Sequence, residues 1–75
     1  SKNALKKIET RIAEIESEIP ESEDYLKHLS FRIATPEIAA NHAKLQETTE
    51  ELTRTEQKIQ SLYQEWEDLL EQINS

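Results

Sequence analysis

Every seventh residue from Ile38 to Ile73 is large and apolar: Ile38, Leu45, Leu52, Ile59, Trp66 and Ile73. A line of that period lies along one side of an α-helix and demands a partner helix to cover it. The first half of the chain offers one. Leu5, Ile8, Ile12, Ile15, Ile19, Ser22, Leu26, Leu29 and Ile33 follow in alternating steps of three and four, with Ser22 the single polar member. Two complementary seams in one short chain predict an all-α fold, an antiparallel two-helix coiled-coil hairpin. Leu62 and Leu69 belong to the second seam as well.

Composition agrees. The 75 residues contain no Gly, no Cys and two Pro, with 33% charged side chains. Absent Gly removes the cheapest route to tight β-turns and phosphate-cradling loops. Absent Cys removes disulfides, thiolate metal sites and thiol nucleophiles, in keeping with a reducing cytoplasmic setting. No apolar run approaches the roughly 20 residues that span a bilayer, so no membrane partner is expected. A chain this short carries one small domain. Its opening, Ser1-Lys2-Asn3, reads as a cut from a longer protein.

The two prolines punctuate the chain. Pro20 deletes one helical hydrogen bond at a cost of about 3 kcal/mol, yet the seam keeps step across it. The first helix, about 3–34, is therefore expected to be kinked there, or locally broken with a restart capped by Ser22. At Ala34-Thr35-Pro36-Glu37, Thr35 suits an N-cap and Pro36 the first helical position. The turn is expected at about 34–37 and the second helix at about 37–74, starting either at Pro36 or near Asn41. That turn implies facing pairs Leu26/Leu45, Ile19/Leu52, Ile12/Ile59 and Leu5/Trp66, with Ile33 and Ile38 beside the reversal. Ile73 is left unmatched, and exposure of Leu69, Leu70 and Ile73 at the open end invites weak self-association of a monomeric hairpin.

The net charge of −7 is uneven: residues 1–35 carry six basic and seven acidic groups, residues 36–75 three and nine. Such a surface repels phosphate backbones, which disfavours DNA. The basic cluster Lys2, Lys6, Lys7 and Arg11 is expected to pair across the hairpin with Glu65, Glu67, Asp68 and Glu71. His28 and His42 alone make no metal site, since zinc takes three or four ligands. No nucleophile–base set occurs, so catalytic, cofactor and metal residues are all expected to be none. The tip residues Tyr25, Phe31 and Arg32 are the expected contact site for a partner, Phe31 either standing outward or folding over the turn against Ile38 or Ala39.

The stretch Ile33-Ala34-Thr35-Pro36-Glu37-Ile38, with Leu62-Tyr63-Gln64-Glu65-Trp66-Glu67 some 25 residues on, resembles the C-terminal domain of ABC-F proteins. These are ATPases with two ATP-binding cassettes and no transmembrane part, in which a helical hairpin follows the second cassette. The likeness covers roughly residues 5–72; Thr35 stands where Asp is usual. It implies a parent that uses ATP and Mg, with none held by this domain. It also implies a cytoplasmic, translation-related role on the ribosome, with this domain a docking or spacer arm and RNA a partner through the parent. Two other classes fit the seams: a nucleic-acid-binding arm, as in some aminoacyl-tRNA synthetases, and an oligomerisation coil.

Overall fold

A computed structural model describes all of residues 1–75. Helix α1 runs Lys2–Ala34, a one-turn helix α2 spans Pro36–Ala39, and α3 runs His42–Asn74. The long helices lie antiparallel along each other in a rod of 56 × 15 × 14 Å. The two seams meet within one molecule, as an all-α hairpin requires.

Each long helix begins where its sequence supplies an acceptor for an orphan backbone N–H. Ser1 accepts from Ala4 N at 3.3 Å, and Asn41 accepts from Lys44 N at 3.1 Å. Of the two starts open for the second long helix, the chain takes the later, at His42. Thr35 precedes α2 but makes no forward cap. Its hydroxyl turns back and donates to the Arg32 carbonyl at 2.7 Å, closing α1. Pro36 then opens α2 as its first residue, where a missing N–H costs nothing.

α1 passes through Pro20 without a break, so of the two courses open there the chain takes the continuous one, and Ser22 caps no restart. Ser22 is a buried interior residue of α1 instead. Buried seam residues lie on both sides of Pro20, and the ring itself is exposed.

The expected pairing needs correction. Leu29 and Thr48 line one groove together, Ser22 and Thr55 the next, and Ile15 and Leu62 share the apolar cluster. The helices are thus displaced by about one heptad from the expected register. That displacement moves Leu26 toward the level of Leu52, Ile19 toward Ile59, Ile12 toward Trp66 and Leu5 toward Ile73. The cause is the reversal: α2 and Asn41 lengthen the turn and move the start of α3 along the rod. Because the seams repeat every seven residues, a slip of one heptad still matches apolar to apolar.

Burial is likewise not on the expected line. On α3 the buried residues are Thr48, Thr55 and Leu62, whereas Leu45, Leu52, Ile59, Trp66 and Leu69 are half-buried. On α1 they are Ile12, Ile15, Ile19, Ser22 and Leu29, with Ile8, Leu26 and Ile33 half-buried; Ile38 is buried within α2. Ile15, Ile19 and Leu62 form one apolar cluster, with Trp66 and Leu69 packed against it. Trp66 therefore packs deeper than the open end, where Leu5 and Ile73 remain exposed.

Candidate functional site

The reversal end brings together the residues that sequence reasoning singled out, but on two sides of the rod. Tyr25 and Arg32 stand seven residues apart, and so on one side of α1. With Leu29, Ile38, Lys44, Glu47, Thr48, Glu51 and Arg54 they line an open groove of about 390 Å³. Phe31 belongs to the other side, in a shallow depression with Leu26, Lys27 and Ser30. Tyr25, Phe31 and Arg32 thus do not make one continuous patch.

Phe31 is 75% exposed, more than any other large apolar side chain of the molecule. It does not fold over the turn onto Ile38 or Ala39. Two steps after Leu29, which is 1% exposed and holds the α1 seam, it is carried round to the outer face by helical geometry. Tyr25 is engaged on its own side: its hydroxyl donates to Glu51 Oε1 at 3.2 Å, and its ring stacks on His28 with centroids 6.5 Å apart. Glu51 also accepts from Arg54 at 2.7 Å. Arg54, then Tyr25, hold the Glu51 carboxyl below its usual range, while desolvation and the Glu51 contact push the Tyr25 phenol up.

Charge sharpens the contrast between the tip and the rest. Residues 25–46 carry Lys27, Arg32 and Lys44 against Glu37 alone, leaving six basic and fifteen acidic residues elsewhere. None of those three cations is in an ion pair, because the four salt bridges of the molecule involve only Arg11 and Arg54. The tip is a small positive end on an acidic rod.

At the other end only Arg11 realises the expected cross-hairpin pairing. Its guanidinium forks onto Glu65, with Nε to Oε2 at 2.7 Å and Nη2 to Oε1 at 3.0 Å. That fork holds the Glu65 carboxyl below its usual range and the Arg11 pKa above its own. Glu14 and Glu18 reach the same guanidinium at 3.4 and 3.5 Å. Lys2, Lys6 and Lys7 form no ion pair, a correction that fits their flexible stems and strongly hydrated ammonium groups. Trp66 Nε1 donates to Glu16 at 3.1 Å and the Tyr63 hydroxyl donates to Glu23 at 3.3 Å, adding two ties between the helices.

No group of three or more His, Cys, Asp or Glu side chains is placed to hold a metal ion. No helix is long and apolar enough to cross a membrane. Missed by sequence reasoning are Thr48 and Thr55, the polar members of the α3 seam. Continuing the three-and-four stepping back from Leu62 would have found both.

Residues 1–71 match the family described as ABC transporter C-terminal domain. No curated protein and no solved structure matches the chain.

Proposed function

The chain belongs to the ABC transporter C-terminal domain family, and from that premise we propose that it is the non-catalytic arm of an ABC-F ATPase, docking through its tip. The parent would bind ATP and Mg in its cassettes and act on the ribosome in the cytoplasm, with this hairpin projecting from it. The observation that carries the docking role is Phe31, 75% exposed on the outer face of α1 near the reversal. Leaving an aromatic ring of that size in water gains the fold nothing. Buried in a partner, it would supply the kind of anchor on which interfaces concentrate their affinity. Unpaired Lys27 and Arg32 nearby would steer an acidic or phosphate-bearing partner to the ring.

The test is co-sedimentation of the chain with purified ribosomes, comparing the wild type with Phe31→Ser. Because Phe31 is outside the packed seam, the variant should melt within 1–2 °C or so of the wild type, while its pelleted fraction should fall several-fold. A wild-type chain that stays in the supernatant would remove the ribosomal reading. A variant that pellets as well as the wild type would remove Phe31 from the contact. Titration with labelled RNA at two salt concentrations separates a nucleic-acid-binding arm, whose affinity would fall steeply with salt.

A further inference from the structure

We infer that the rod has a hinge at the level of Pro20, where the tip half of the hairpin swings relative to the base half. Three independent features coincide there. First, Pro20 sits inside α1 and donates no backbone hydrogen bond, so the Glu16 carbonyl one turn earlier loses its helical donor. Second, the buried layer just beyond it is small and hydroxylic. Ser22 and Thr55 are 7% and 6% exposed and line the same groove, and Thr48 is 6% exposed opposite Leu29.

The hydroxyls of this layer add no tie between the helices. Thr55 donates to its own Glu51 carbonyl at 2.8 Å and Thr48 to its own Lys44 carbonyl at 2.7 Å. Backbone-directed bonds of this kind satisfy the group locally and tend to bend the helix that carries them. The contiguous apolar cluster of Ile15, Ile19 and Leu62 stops on the base side of the layer, and the buried Leu29 and Ile38 are not joined to it. The packing that resists bending is therefore interrupted where the backbone of α1 is weakest.

Third, carboxylates crowd this level. Glu18, Glu21, Glu23 and Asp24 flank Pro20 on α1, while Glu50, Glu51 and Glu56 stand on α3 beside Thr55. Arg54 and Lys58 offset them on that helix, and Arg11 reaches Glu18 at 3.5 Å on α1. An excess of like charge along this stretch favours separation, more so at low salt. The cross-ties nearest the layer are the exposed Tyr25–Glu51 and Tyr63–Glu23 hydrogen bonds, at 3.2 and 3.3 Å. Both are long for an O–H donor, and the second, which joins Tyr63 beside the base cluster to Glu23 beyond Pro20, is for that reason a weak restraint across the level.

The absence of Cys makes the test direct. Cys introduced at the exposed positions Lys6 and Lys27 takes a spin label on either side of Pro20, about 32 Å apart by helical rise. Electron–electron distance measurement on the wild-type background should give a broad distribution. In Pro20→Ala, which restores the donor, the width should fall by roughly half, and Thr55→Val should narrow it further by packing the layer. Amide exchange gives a second reading: in the wild type, α1 amides after Pro20 should exchange about tenfold faster than those of Ile12–Ile19, and Pro20→Ala should close most of that gap. Equal widths in wild type and Pro20→Ala, or exchange that is uniform along α1, would overturn the hinge.

Discussion

The base and tip halves of this hairpin share one geometry and differ in what fills it. Toward the open end, Ile15 faces Leu62 in a contiguous apolar cluster completed by Ile19, with Trp66 and Leu69 against it. Toward the reversal, the equivalent layers pair Ser22 with Thr55 and Leu29 with Thr48. Burial is as deep in both halves, but a hydroxyl layer buries less apolar surface, and apolar surface supplies most of the driving force. The Arg11–Glu65 fork also lies in the base, whereas the tip relies on a phenol–carboxylate contact. The base is therefore the half that holds the hairpin together. The tip spends its residues on exposed surface: Phe31, Lys27, Arg32 and Lys44.

Truncating each half's best-buried side chain should break the symmetry most visibly. Ile15 is 0% exposed and Leu29 1%, so exposure alone predicts equal costs. Packing predicts otherwise. Ile15→Ala removes the centre of the cluster and should cost about 3–4 kcal/mol, near the upper part of the range for such deletions. Leu29→Ala leaves a gap beside Thr48 in a looser layer that collapses more readily, and should cost about 2 kcal/mol. Urea titration followed by helical circular dichroism measures both. Equal losses would show that the halves are packed alike.

Exchanging the chemistry of the layers should move stability in opposite directions. Leu62→Thr imports the tip's layer into the base and should cost about 2–3 kcal/mol, combining lost apolar contact with a gap in the cluster. Thr55→Val exports the base's chemistry to the tip and should stabilise by about 1 kcal/mol. The shape is kept, and the only bond lost is to the Glu51 carbonyl within the same helix, which retains its backbone donor. A destabilised Thr55→Val would mean that the hydroxyl layer holds the helices together after all.

This division of labour also explains what the amino-acid pattern could disclose. The two seams announced an intramolecular hairpin because apolar residues at heptad spacing have few other ways to leave water. The register was not legible, since a coil with a seven-residue period pairs apolar with apolar after any whole-heptad slip. Only the turn distinguishes the alternatives, and Thr35, Pro36 and Asn41 are each good helix starters. The chain uses all three residues, the first to close α1, the second to open α2 and the third to cap α3. Thr48 and Thr55 are hard to read as seam members because hydroxyl residues ordinarily mark a wet face; the donation to their own helical carbonyls that lets them be buried is invisible in composition. At the tip, the sequence leaves Phe31 free to stand outward or to fold over the turn, and only its 75% exposure in the fold decides for the outward position. The split between Phe31 and the Tyr25–Arg32 side required the groove itself.

The smallest expected effect, and the finest probe of the comparison, is pH. The Arg11 hydrogen bonds hold the Glu65 carboxyl below its usual range, and Arg54 with Tyr25 do the same for Glu51. A carboxyl lowered by folding contributes stability that is fully present above its unfolded value, about 4.3, and fades as the pH falls through the lower folded value. Protonating unpaired carboxylates relieves the repulsion of an acidic chain at the same time, so the informative quantity is a difference between variants. Between pH 5 and 3 or so, the wild type should lose more melting temperature than Glu65→Gln, which has nothing to titrate at that position. The alkaline side separates the halves. Desolvation and Glu51 raise the Tyr25 phenol. Its contribution is therefore complete below its unfolded value, about 10, and disappears as the pH climbs through the folded one. The guanidinium of the Arg11–Glu65 fork keeps its proton there. Carboxyl and phenol titrations by NMR should thus show the tip losing its cross-tie at both extremes, and the base fork at the acidic extreme alone. A Tyr25 phenol that titrates at the same pH in the wild type and in Glu51→Gln would break that contrast.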